Sequence, residues 1–149
     1  MDQISIPNSI SFILMEVCKL RRAMSDSMLN EIGLHVGQEM FFVSILHEEG
    51  ATQSEIAEHL HVQRATVTNM LRRLEEGKLI ERRGDPNDQR LLRVYLTDKG
   101  RAIQQQLQQV WYIIEDQTTQ NMTPEERLLF RRLLLQAQQN LLTHQHSAP

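Results

Sequence analysis

Between Gln63 and Glu76 the chain carries Gln63, Arg64, Ala65, Thr66, Thr68, Asn69, Arg72 and Arg73, interleaved with Val67, Met70, Leu71 and Leu74. The apolar positions recur at helical spacing along one side, so a helix here turns the polar set to the other. Gln, Asn and Arg make bidentate hydrogen bonds to base edges. Ala and the Thr methyl pack on thymine methyls, while Thr hydroxyls and the later arginines, Arg72 and Arg73, suit phosphate oxygens. A second element follows in Asp85-Pro86-Asn87-Asp88-Gln89-Arg90. Its turn residues fit a protruding loop. From such a loop Arg90 can enter a minor groove, whose negative potential is deepest where it is narrow. A nearby carboxylate, Asp85 or Asp88, is expected to orient that guanidinium. Thr52, at the start of the preceding helix, joins the DNA-facing set.

These side chains need a scaffold, and the sequence predicts one. Ile10, Ile13, Leu14, Val17, Met24 and Met28 predict a helix from about residue 8 to 30, broken at Gly33. A second runs from about Val36 to Glu49 and stops at Gly50. Thr52-Gln53-Ser54-Glu55 is a capping box that opens a short helix through Ile56, Ala57 and Leu60. A turn at His61-Val62 leads into the helix from Gln63, which stops at Gly77. The period then changes to alternation in Leu79–Arg83 and Leu92–Leu96, around the turn of Gly84–Asp88, which predicts a β-hairpin. Thr97 caps a long helix to about Gln120. Thr123-Pro124-Glu125-Glu126 starts the last, leucine-rich helix, and a disordered tail is expected over 144–149. The fold class is therefore mainly α, with a short helix, a turn, a second helix and a charged hairpin. In that order the first helix props the second against the major groove and the hairpin forms a wing.

Composition agrees. With 149 residues, 40% hydrophobic and 23% charged, the chain is long enough for one soluble domain. Aromatics make up only 5%, which favours helices packed on helices over a large sheet. The net charge is −3, yet Val62–Arg101 holds ten Lys/Arg against six Asp/Glu, and the rest of the chain is correspondingly acidic. Such segregation fits one face meeting phosphates. No run of about 18 apolar residues exists to span a membrane. Met1-Asp2-Gln3 opens without the basic and apolar regions of a signal peptide, so a cytoplasmic location is expected. Cys18 is the single cysteine, so no intrachain disulfide forms.

The chain resembles the MarR family of regulators over nearly its whole length. The residues that carry the resemblance are Gly33-Leu34 and Gln38, Gln53-Ser54-Glu55-Ile56-Ala57, Ala65-Thr66-Val67-Thr68 with Leu74-Glu75, and Gly77-Lys78-Leu79-Ile80-Glu81-Arg82. The most specific pairing is Asp85-Pro86-x-Asp88-x-Arg90 followed by Leu96-Thr97-x-Lys99-Gly100. The resemblance implies a homodimer with a winged lobe at 34–100 and dimerisation helices at 8–32 and 101–143, all in a single domain. It also implies sequence-specific repression at palindromic operators, relieved by a phenolic or similar small-molecule effector. His35 stands where the family often has Thr or Ser, Gln63 where a Ser or Asp cap is common, and His61 where Gly is frequent.

Other readings attach to single features. Cys18, near Lys19, Arg21 and Arg22, raises a redox-switched repressor, against a small apolar residue in or near the core. Loss of DNA binding would leave a helical protein-interaction module. His59 and His61 with His47, Glu48 and Glu49 raise a metal site, but His-x-His is poor spacing on one helix. Met15, Met24, Met28, Met40 and Met70, with Phe41 and Trp111, fit either an effector pocket or core packing. No nucleophile elbow, phosphate loop, zinc motif or paired acids on a common helix face appear, so no enzyme and no cofactor are expected.

Overall fold

The computed structural model describes residues 5–35, 37–45 and 49–145. A 3-10 turn at Ile6–Asn8 leads into α1 (Ile10–Glu31), which Ser9 caps by accepting the Phe12 N–H at 3.1 Å. Then follow α2 (Gln38–Ile45), α3 (Gln53–Leu60), α4 (Arg64–Glu76), strands β1 (Ile80–Gly84) and β2 (Leu92–Leu96), α5 (Asp98–Thr118) and α6 (Pro124–Gln145). The mainly α fold with one hairpin is as expected. Helix α2 is shorter than the expected Val36–Glu49: Glu49 sits in a turn, while Val36 and residues 46–48 lie outside the described residues. Helix α6 runs through His144 and Gln145, into the expected tail, and 146–149 lie outside the described residues. The chain divides into two compact units, one ending at Ile114 and one starting at Glu115.

In the first unit, Leu29 and Leu34, Phe41 and Phe42, Ile56, and α4's Val67, Leu71 and Leu74 are fully buried. Ile80, Val94 and Leu96 add the inner face of the hairpin, and Leu107, Val110 and Ile114 one side of α5. Each such aliphatic side chain contributes about 1.5–3 kcal/mol by leaving water. Helix α1 keeps a different stripe outside: Ile10, Ile13, Val17 and Leu20, spaced to share one face, are exposed.

Three helix ends share one construction. After α1, α3 and α4 the chain turns through a left-handed residue, at Gly33 (φ 77°), His61 (φ 53°) and Lys78 (φ 57°). Paired bonds accompany each turn, as in Leu79 N–H to the Leu74 carbonyl and Lys78 N–H to that of Glu75, both 2.9 Å. Glycine takes this conformation freely; His61 and Lys78 take it at a cost of about 1 kcal/mol or more. Helix α4 runs to Glu76 and stops at Gly77, as expected. Gly77 stays right-handed (φ −73°), and Lys78 makes the turn.

The start of α5 is joined to that turn. The Thr97 hydroxyl accepts the Gly100 N–H at 3.0 Å and donates to the Lys78 carbonyl at 2.7 Å. Thr97 N–H donates to the Leu79 carbonyl at 3.1 Å, and Lys99 Nζ donates to the Gly77 carbonyl at 3.0 Å. Gly100 lies so close that a Cβ there would stand 2.0 Å from the Leu79 carbonyl oxygen. The Leu-Thr-x-Lys-Gly segment therefore has a physical reason for each of its last three named residues.

Glu39 is the one acid of α2 inside the unit, its side chain only 8% exposed. Arg21 Nη1 lies 4.0 Å from one carboxylate oxygen and its guanidinium lies 4.9 Å from the Trp111 ring centroid. The other oxygen, Oε2, has no hydrogen-bond partner among the described residues. Burial pushes the carboxyl above the ordinary range, and Arg21 only partly offsets this. A raised folded-state pKa means that the folded protein holds this proton more tightly. Stability is then lost as pH rises through the window above the ordinary carboxylate range. Glu39→Gln should raise the melting temperature at neutral pH, with the gain shrinking as the pH falls into the ordinary carboxylate range. Thermal melts across that range test it, and a pH-independent difference would reject it.

In the second unit, Thr123 and Glu126 form the reciprocal cap of α6. Glu126 Oε2 accepts the Thr123 N–H at 2.8 Å, and the Thr123 hydroxyl accepts the Glu126 N–H at 3.2 Å. No described residue of α6 is buried, and Leu128, Leu129, Leu133, Leu134, Leu135 and Leu141 are exposed.

Candidate nucleic-acid interface

Helix α3 begins with the expected capping box. The Thr52 hydroxyl accepts the Glu55 N–H at 3.3 Å, and Glu55 Oε2 accepts the Thr52 N–H at 2.6 Å. Hydrogen bonding from the Thr52 backbone N–H, and then from its hydroxyl, holds the Glu55 carboxyl below the ordinary range. The Thr52 hydroxyl is therefore occupied at the helix start. Gln63 occupies the cap position of α4 without a side-chain cap bond.

At 100° per residue, α4 buries Val67, Leu71 and Leu74 and turns Ala65, Asn69 and Arg72 directly outward. Thr66 and Arg73 lie on one flank, Arg64 and Thr68 on the other, and all are exposed. The Thr68 hydroxyl donates to the Arg64 carbonyl at 2.9 Å and accepts from Gln53 Nε2 on α3. Arg72 Nη1 pairs with Glu76 Oε1 at 2.8 Å, one turn on. Arg73 lines a shallow concavity with Gly33, His35, Gln38, Gly77 and Leu79. There Gln38 Oε1 accepts the His35 N–H at 2.8 Å.

The hairpin is antiparallel, pairing Ile80 with Leu96 through to Gly84 with Leu92. The face opposite Ile80 and Val94 sets Glu81, Arg83 and Asp85 against Tyr95, Arg93 and Leu91. Arg83 and Arg93 are directly opposite, a repulsive pair on its own. Each has other partners: Arg83 bonds Glu81 and lies 4.5 Å from the Tyr95 ring centroid, and Arg93 Nε donates to Asp85. In the turn, the Asp85 carboxylate accepts the N–H groups of Asn87 (2.7 Å) and Asp88 (3.1 Å). Hydrogen bonding from Arg93, then from these amides, holds Asp85 below the ordinary range. Asp88 Oδ1 accepts the backbone N–H of Arg90 at 3.0 Å. The expected carboxylate clamp on the Arg90 guanidinium is thus not what forms. The Arg90 guanidinium has no ion pair among the described residues, and it lines a cleft with Thr52, Gln53, Ser54 and Arg82.

Residues 38–92 match the sequence profile of the MarR family. The transcriptional regulator AdcR of Streptococcus pneumoniae serotype 2 (strain D39 / NCTC 7466) is 30% identical over 108 residues, 70% of this chain and 73% of AdcR. The chain belongs to the MarR family. The HTH-type transcriptional regulator YybA of Bacillus subtilis (strain 168) is 26% identical over 133 residues, 87% of this chain and 88% of YybA. Among solved structures, a MarR mutant from E. coli complexed with operator DNA superposes with a TM-score of 0.77 at 26% identity, covering 86% of this chain and 92% of MarR. As a MarR-family member the chain is a DNA-binding transcriptional regulator and not an enzyme.

Two residues of the MarR-type lobe escaped the sequence reading. Gln53 ties α3 to α4 through Thr68 and, at 3.4 Å, the Arg64 carbonyl. Arg93 ties the wing to the body: besides Asp85, its Nη1 donates to the Gly50 carbonyl at 2.9 Å. Other candidates separate. Cys18 is exposed, not in or near the core. Among the described residues no cluster of His, Cys, Asp and Glu suits a metal, and His47 and Glu48 lie outside them. Met15 and Met40 are exposed, Met24, Met28, Met70 and Trp111 pack against the core, and Phe41 is within it. Neither cleft named above contains a methionine. Among the described residues no helix is long and apolar enough to cross a membrane.

Proposed function

We propose that this regulator is a cytoplasmic homodimeric repressor that binds palindromic operators and is released by a small-molecule effector, a phenolic acid or similar. The observation that carries the DNA part is the outward face of α4 standing on the same unit as a wing whose Arg90 guanidinium is unpaired among the described residues. Gln63, Arg64, Ala65, Thr66, Thr68 and Asn69 read bases in the major groove. Arg72 and Arg73 position on phosphate, Thr52 meets the backbone side, and Arg90, steadied through Asp88, enters the minor groove. Two-fold symmetry sets half-sites about one helical turn apart. The exposed apolar faces of α1 and of α6 support the homodimer, because surfaces of this kind mark association sites. No cofactor is required for any of these contacts.

The test is fluorescence anisotropy of the purified protein against its own upstream intergenic DNA and a scrambled duplex, at two salt concentrations, with and without salicylate. Tight, salt-sensitive, selective binding that the acid weakens is the expected result. Selective binding indifferent to the acid rejects the phenolic effector. Equal weak binding to both duplexes rejects the operator reading and favours a protein-interaction role. The exposure of Cys18 supports a second reading, release by oxidants. In that case peroxide weakens wild-type binding but not that of Cys18→Ser.

A further inference from the structure

We propose that Arg93 is the positioning residue that fixes the wing turn against the start of α3, so that Arg90 and the outer face of α4 meet DNA at one set separation. The inference rests on the reading of Arg90 as a DNA contact. Arg93 lies on the middle line of a small sheet: Thr52 bridges to it on one side, and Arg83 pairs with it on the other. Its guanidinium reaches both ways. Toward the wing it bonds the Asp85 carboxylate, itself only 8% exposed. Toward the body it donates to the Gly50 carbonyl at 2.9 Å and lies 4.0 Å from Glu55 Oε2, the oxygen that closes the α3 cap. Asp85 in turn holds the amides of Asn87 and Asp88, and Asp88 holds that of Arg90. An unbroken series of polar bonds thus runs from Gly50, two residues before the Thr52 cap, to the backbone of Arg90. Strand pairing ends at Gly84 and Leu92, and past it the backbone bonds hold the turn only to itself: the Asp85 N–H donates to the Leu91 carbonyl and the Leu91 N–H to the Asp88 carbonyl, both at 2.9 Å. Among the described residues, Arg93 is the side chain whose polar bonds join that turn to the body. A lysine cannot replace it, since one ammonium lacks the planar fork that serves a carboxylate and a carbonyl at once.

The test compares wild type, Arg93→Gln, Arg93→Lys, Asp85→Asn, Arg90→Ala and the Arg90→Ala/Arg93→Gln double variant, each confirmed as folded by circular dichroism. Asp85→Asn breaks the same link while keeping an oxygen for the turn amides, so it decides the matter should Arg93→Gln fail to fold. Operator affinity and amide hydrogen exchange of Asn87, Asp88 and Arg90 are measured. The expected loss for Arg93→Gln, Arg93→Lys and Asp85→Asn is about tenfold, falling to about twofold or less for Arg93→Gln when Arg90 is already Ala. The three amides exchange faster in all three Arg90-containing variants. Equal losses in both backgrounds, full rescue by lysine or unchanged exchange overturns the proposal. If wild-type protein shows no operator preference, the reading of Arg90 fails, and the exchange rates still decide whether Arg93 holds the wing.

Discussion

Gly100→Ala should destabilise the winged unit by more than about 3 kcal/mol, enough to shift or abolish its cooperative melt. The added Cβ would lie 2.0 Å from the Leu79 carbonyl oxygen, 3.1 Å from the Leu79 carbonyl carbon and 3.1 Å from Leu96 Cδ2. The nearest obstacle is backbone, which has no rotamer to change. The Leu79 carbonyl is also the acceptor of the Thr97 N–H, so turning it away breaks that bond. The sign is diagnostic, because alanine in place of glycine inside a helix ordinarily gains up to about 1 kcal/mol. Gly77→Ala is the control: its Cβ meets nothing nearer than the Arg73 carbonyl oxygen at 3.4 Å, and its backbone is right-handed. Urea titration of both variants measures the contrast. Similar stability for the two would show that the α5 junction yields more easily than this geometry allows.

Arg90→Ala should weaken operator binding by about 1–3 kcal/mol and lower the salt slope by about 1. The wing turn does not depend on this side chain. Its amides are held by Asp85 and Asp88, and Asp88 takes the Arg90 backbone N–H, which alanine retains. The loss should therefore appear in affinity with the melting temperature unchanged. Anisotropy titrations at several salt concentrations, beside melts, check both halves. Wild-type affinity in this variant would remove the wing from the interface.

Much of this was legible in the sequence because it is local. The Thr52–Glu55 and Thr123–Glu126 caps span three residues, and the helix and strand periods hold within short windows. The hairpin was legible because turn residues crowd between two alternating runs. The bonds that organise the site were not. Asp85 and Arg93 are eight residues apart, and only the register makes them diagonal neighbours on one face. Without that register, Arg90 looks like the natural partner for the turn acids. Gln53 and Thr68 meet only after α3 and α4 cross. Lys78 in the left-handed region escaped notice because Gly77, beside it, is the residue type that usually takes that role. The exposure of Cys18 depends on which face of α1 turns inward, and the helical period alone does not fix that.

The contact between Gly100 and the Leu79 carbonyl has a mechanical consequence. It holds no side chain, so it has no slack: neither partner can yield by changing a rotamer. The first turn of α5, the end of α4 and the root of the wing are therefore joined backbone to backbone. A displacement of the first turn of α5 is thus expected to carry the Leu79 root of the wing with it.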